Sequence, residues 1–302
     1  MKSLLRTGIA TAVVLTATGA LVAITNYTDN HRILKVDGVA SVEMSNSLAS
    51  IENDMAARME AQEVATIIGK IDHVSLTSYA ELQEARELYE NASSSARAYI
   101  DEEQLIIAEE TYAQLEAERE ELLAEARANG DIDGMLDYTY CDVQSSGNEY
   151  LDSMVQELIQ KATTEDMSRS EQLKACYCYM VSNYSYAYNY NYSYGNGPKS
   201  VAWATAFLRD GYGACNNWSS AFMYVARALG YDTELYYGST ATSRGGSTEH
   251  YWPVIRIDGT DYVFDPQVEA DMYRKSGNIS FRRYGLAGNA ADAKYFFSTV
   301  VQ

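Results

Sequence analysis

The stretch that most limits how this chain can fold runs from Gly211 to Gly230. It reads Gly-Tyr-Gly-Ala-Cys-Asn-Asn-Trp-Ser-Ser-Ala-Phe-Met-Tyr-Val-Ala-Arg-Ala-Leu-Gly. Gly211 and Gly213 interrupt regular structure just before Cys215. Beyond it, Trp218, Ala221, Phe222, Val225 and Leu229 recur at helical spacing, and Gly230 supplies a stop signal. The pattern predicts a helix buried along one face, with Cys215 in its first turn. A thiol there points at backbone N–H groups without helical partners and at the positive end of the helix dipole. Both favour the nucleophilic thiolate. The same N–H groups could receive the oxyanion of an acyl-transfer intermediate.

Such a thiolate needs a base, and the chain has three histidines, His31, His73 and His250. Only His250 follows Cys215. It opens the strand-like run His-Tyr-Trp-Pro-Val-Ile-Arg-Ile. Asp258-Gly259 then reads as a turn, and Asp261-Tyr-Val-Phe-Asp265 reads as the return strand. If the two strands pair, Asp265 ends beside His250. There it can accept a hydrogen bond from the imidazole and fix its tautomer. Each of the three residues has an ordinary structural explanation: a core thiol, a satisfied strand histidine, a turn acid before proline. Their joint occurrence behind a glycine break points instead to a Cys215–His250–Asp265 triad.

Gly-x-Cys opening a helix, His-x-Trp on a strand and Asp-Pro closing the next strand resemble the transglutaminase-like superfamily. Lys174-Ala-Cys-Tyr-Cys-Tyr-Met-Val-Ser-Asn-Tyr-Ser-Tyr186 is similar to that family's helix-then-tyrosine entry. The resemblance covers roughly the C-terminal half. It implies an α+β fold: a papain-like core with an antiparallel sheet, here preceded by an all-α helical bundle region. It also implies a Cys-His-Asp triad and no cofactor. For a second oxyanion donor, position in the resemblance offers Trp203 and Tyr186. One feature departs from the pattern. Many bacterial members carry Gly-Tyr-Ala two residues after the cysteine, where this chain has Asn217-Trp218-Ser219.

With 302 residues the chain has room for one catalytic domain and an accessory region. Its net charge of −19 argues against nucleic acid and against anchoring on anionic headgroups. Of the four cysteines, Cys141, Cys176 and Cys178 remain once Cys215 is set aside, so at most one disulfide forms among them. No nearby histidine completes a zinc ligand set.

Lys2 and Arg6 precede an apolar run from Gly8 to Ile24. This is the pattern of an export signal, cleavable after Ala20 or Ala23, or of a retained membrane anchor. Both readings put the rest of the chain outside the membrane, attached to it only through residues 8–24. From 40 to 128 the apolar spacing is helical, and its short, interrupted stripes suit a compact bundle. Ser78-x-x-Glu81 and Asp101-x-x-Gln104 mark helix starts within it. Ile68-Gly-Lys-Ile-Asp-His-Val-Ser-Leu-Thr-Ser78, Leu82-Gln-Glu-Ala-Arg-Glu-Leu-Tyr89 and Leu105-Ile-Ile-Ala-Glu-Glu110 are similar to a helical spacer module of Gram-positive surface proteins. That resemblance implies display rather than chemistry and makes His73 structural.

Residues 129–147 read as a linker, with Asn129-Gly-Asp-Ile-Asp-Gly-Met135 as a solvated turn. The transglutaminase-like domain then spans 148–302. Ser168-x-x-Glu171 caps a helix within it. Tyr184 to Tyr194 carries tyrosine at every second position, which places those rings on one face of an extended chain. They form either a biased surface loop or an aromatic platform for peptide or glycan. The tail beyond Pro266 is expected to pack back on the sheet.

The sequence thus describes an exported cell-surface cysteine acyl-transfer enzyme, leaning toward a peptidase or amidase acting on peptide or protein. A protein-crosslinking transglutaminase and a non-catalytic module that binds wall peptide or glycan remain as alternatives.

Overall fold

The computed structural model describes residues 38–71, 73–188, 197–242 and 245–301, with side chains from residue 46 onward. The N-terminal apolar run, His31 and the tyrosines at 190, 192 and 194 lie outside the described residues. Among those described, no helix is long and apolar enough to cross a membrane.

The chain divides into two compact units, one holding residues up to Gln62 with Ser93–Tyr99, the other Glu63–Ala92 with Ile100–Gln302. The first unit combines most of a long helix, α1 (Gly38–Ile68), with the four-residue α3 (Ser94–Arg97), which follows α2 (Tyr79–Asn91) in the chain. Polar contacts hold it: Ser93 donates its N–H and hydroxyl to Glu60 at 2.9 and 2.7 Å. Tyr99 donates to Asp54 beneath the Arg58 guanidinium.

The second unit begins with α2 and α4 (Glu102–Asn129). These helices pack together, the first burying Leu82 and Ala85 and the second Leu105 and Ala108, and are clamped by Arg86, which bonds Glu102 at 3.1 Å and Glu109 at 2.6 Å. The helix start at Ser78 differs from the capping box expected there. Its hydroxyl accepts from Ser75 N–H instead and makes no cap bond. The segment read as a solvated turn is also different. Asp131 caps a short helix, α5 (Ile132–Asp137), which buries Met135 and Leu136. Three apolar side chains in six residues, Ile132, Met135 and Leu136, are too few for a periodicity signal, so glycine and aspartate dominated the sequence reading.

The core lies among α6 (Glu149–Ala162), α7 (Arg169–Asn183), α8 (Lys199–Asp210), α9 (Cys215–Ala228) and a four-stranded antiparallel sheet. Ser168 and Glu171 form the expected capping box on α7. The sheet contains β3 (Thr233–Ala241), β4 (Ser247–Ile257), β5 (Thr260–Val263) and β6 (Tyr295–Val301), in the order β5-β4-β3-β6. Asp258 and Gly259 both take positive φ, 46° and 72°, which makes the β4–β5 connection the two-residue turn that Asp-Gly favours. The tail does return to the sheet, as β6 pairs with β3. A separate parallel pair, β1 (Ser185–Tyr186) and β2 (Tyr212–Gly213), lies beside the start of α9.

Helix α9 is more enclosed than one apolar face would make it. Every residue from Asn217 to Ala226 is buried, because α6, α7 and α8 pack on it along with β4 and the helix α10 (Pro266–Ser276). Its two serines, Ser219 and Ser220, are buried rather than facing water. Ser219 donates to the Tyr251 carbonyl at 2.7 Å, which ties the helix to β4.

Candidate active site

Cys215 is the first residue of α9, preceded by an extended Ala214. The approach to it is held by Asn217. The Asn217 side-chain oxygen accepts from Ala214 N–H, its amide donates to the Trp203 carbonyl, both at 3.0 Å, and the residue is fully buried. A Cβ at Gly213 would lie 2.6 Å from the Asn217 Cβ, so only glycine lets the chain pass here. Trp218 packs on Phe207 and Tyr184, with ring centres 4.9 and 6.4 Å away. The Asn217-Trp218-Ser219 departure therefore builds the wall behind the thiol.

His250 lies on β4 opposite Gly238 of β3. Asp265 is the N-cap of α10, where its Oδ1 accepts from Val268 N–H at 3.0 Å. Its Oδ2 is 2.7 Å from His250 Nε2 and also accepts from the Tyr295 hydroxyl at 2.8 Å. Its backbone carbonyl accepts from Tyr177. Both members of the pair are buried, at 3% and 0% exposure, so water does not screen them. Cys215 is near enough to act on the imidazole and helps raise it. Of the three residues singled out in the sequence, His250 and Asp265 are in direct contact.

Electrostatics follow from that enclosure. Burial works against a charged His250, but the Asp265 carboxylate, its hydrogen bond and Cys215 outweigh it and raise the imidazole to about 10. Burial likewise opposes a charged Asp265. His250, the Val268 N–H and the Tyr295 hydroxyl nevertheless hold it below the usual carboxylate range. The other three cysteines are free and differently placed. Burial pushes Cys176 to about 12 and also raises Cys141 and Cys178.

The two proposed oxyanion donors part company. Trp203 is buried edge-on against Tyr251, ring centres 5.3 Å apart, and its carbonyl anchors Asn217. Tyr186 sits opposite Gly213 in the β1–β2 pair, two residues from Cys215. Burial, and next the charge of Cys215, push its hydroxyl up to about 12. Tyr188 lies against it at 4.8 Å and is 85% exposed, so the described start of the tyrosine run borders this region. Among the described residues, no three His, Cys, Asp or Glu side chains are grouped to hold a metal ion.

Sequence reasoning missed Tyr295, which lies in a tail with no clear pattern. It also missed Gly238, whose requirement is purely spatial. A Cβ there would meet the Phe296 carbonyl oxygen at 2.1 Å and the Trp252 ring at 2.9 Å. The β3–β6 register also shifts at this point. Gly238→Ala is therefore expected to cost about 1–3 kcal/mol through overpacking of backbone against backbone. The check is a thermal melt, and an unchanged midpoint would show that β6 yields freely.

Residues 153–266 match the transglutaminase-like superfamily, a span that contains Cys215, His250 and Asp265. This part of the chain is a transglutaminase-like core. No curated protein matches the chain. Among solved structures it is similar to a candidate cysteine protease from Cytophaga hutchinsonii, with 15% identity, 41% of this chain and 43% of the other covered, and a TM-score of 0.29. It is also similar to a TGase, with 17% identity, 42% and 34% covered, and a TM-score of 0.29. The chain spans less than half the length of each of these two. The superfamily match over residues 153–266 supports a cysteine-dependent enzyme in general terms.

Proposed function

We propose that this protein is an exported cysteine-dependent acyl-transfer enzyme that works as a peptidase or amidase on peptide or protein at the cell surface. The observation that carries the reading is the buried His250–Asp265 pair, 2.7 Å apart, beside a cysteine at a helix start. In this mechanism the Cys215 thiolate attacks an amide carbonyl, and the first turn of α9 faces the oxyanion. The amide C–N bond breaks as the imidazolium of His250 gives its proton to the leaving amine. Water then attacks the thioester, returning a proton to His250 and releasing the acid. Asp265 orients the ring throughout.

Export rests on Lys2, Arg6 and the apolar run Gly8–Ile24, and the helices over 40–128 would serve as spacer and display. The acyl-enzyme is common to hydrolysis and crosslinking, so its fate separates the two. Incubating the protein with glutamine-containing peptides and an excess of a primary amine, and following both products by mass, is the test. Hydrolysed product is expected to dominate and to vanish in Cys215→Ala. Dominant amine incorporation would move the assignment to a crosslinking transglutaminase. Turnover that survives in Cys215→Ala would remove the mechanism altogether.

A further inference from the structure

The proposed chemistry uses three side chains, yet a fourth is bonded into the same carboxylate. Tyr295 opens β6 and is 6% exposed. Its hydroxyl donates to Asp265 Oδ2, the same oxygen that holds His250 Nε2. Its ring lies 5.1 Å from that of Trp252 and 6.3 Å from the imidazole, and Trp252 stacks on His250 at 17° between planes. Apolar packing alone would be satisfied by phenylalanine. A buried hydroxyl aimed at a buried carboxylate is different: it competes with the imidazole for one oxygen.

Resting on the Cys215–His250–Asp265 reading, we propose that Tyr295 is a positioning residue which, through Asp265, sets how firmly His250 holds its proton and which way the ring points. With Oδ1 already committed to Val268 N–H, the negative charge available to the imidazole is that of Oδ2. A phenol donating to Oδ2 draws off part of that charge and fixes the carboxylate plane. Without the hydroxyl, Oδ2 serves His250 alone. The imidazolium is then held more tightly, and the ring loses one constraint on its orientation. Gly238 lets this happen, because any larger residue would push away the Phe296 carbonyl next to Tyr295. The charged and titratable groups around the pair are Cys215 from α9, Tyr177 from α7, Glu269 from α10 and Arg283, whose guanidinium lies 6.0 Å from the Tyr295 ring centre. Glu269 is itself held by Ser280 and Arg283 N–H groups, so it does not reach for the pair.

The experiment is an NMR titration of the His250 ring protons in the full chain. It is tractable because only three histidines are present, and His250→Gln assigns the signal. Tyr295→Phe should move the His250 midpoint upward by about half a unit or more. The same replacement in an Asp265→Asn background should move it little, since the charge through which it acts is gone. An unmoved midpoint in Tyr295→Phe, even with a lower melting temperature, would reduce Tyr295 to packing and overturn the proposal. A shift of equal size in both backgrounds would also overturn it. Should Tyr295→Phe not fold, Tyr295→Met, apolar and without a hydroxyl, takes the same test. The catalytic reading is judged separately by whether iodoacetamide at neutral pH labels Cys215 ahead of the other three cysteines, which the titration does not require.

Discussion

His250→Gln is expected to lower turnover by about 10²–10⁴-fold, the usual contribution of a positioned acid–base group. Glutamine is the informative replacement. Its amide can still donate to Asp265 and fill the slot beside Trp252, so the buried carboxylate is not left bare. It cannot take up a proton from the thiol or deliver one to a leaving amine. The loss should therefore appear in kcat and kcat/KM together, the signature of an interaction made only in the transition state. Thermal unfolding measured alongside should move far less than for His250→Ala. A variant that keeps turnover within a few-fold of the parent would show that His250 is not the acid–base group. The short, buried pair would then be purely structural.

The sequence was informative about this site because each of its parts is a local signal. Glycines around Cys215 marked the break, apolar spacing marked the helix, and Asp258-Gly259 set the turn between β4 and β5. Antiparallel pairing across that turn runs Val254 against Val263. Asp265, two residues past Val263, then lies at the same end of the sheet as His250, which is why counting residues from the turn sufficed. What stayed hidden depends on long-range contact. Tyr295 reaches Asp265 only because β6 returns beside β3, a pairing between strands more than fifty residues apart. Nothing in Tyr-Phe-Phe-Ser-Thr-Val-Val names its partner strand. Asn217 was visible only as a departure from a pattern. Its bonds to Ala214 and Trp203 depend on how α8 packs on α9. The α5 helix escaped notice because Asp131, Asp133 and Gly134 read as turn residues, while its stability comes from burying Met135 and Leu136.

Asp265→Ala is expected to destabilise the fold by about 3–5 kcal/mol, the cost of breaking a buried charged pair from one side. Three bonds are lost at once: those from His250 Nε2, the Tyr295 hydroxyl and the Val268 N–H. The last is the N-cap of α10, worth about 1 kcal/mol by itself. Asp265→Asn separates the contributions, since its side-chain oxygen can still cap the helix while the charge is gone. The effect should also depend on pH in a fixed direction. The folded carboxyl is held below its unfolded value of about 3.9, so its stabilisation is complete above that value and fades as pH falls through the depressed one. The folded imidazole is raised to about 10. Its stabilisation is complete below its unfolded value of about 6.5 and is lost as pH rises from there through the raised one. Both contributions are therefore whole between about pH 4 and 6.5, where the gap between parent and Asp265→Asn should be widest. Denaturant unfolding at pH 3, 5.5 and 9 measures it. A gap of equal size at all three would mean that the pair is not held as an ion pair, and that Asp265 matters only as a cap and a hydrogen-bond acceptor.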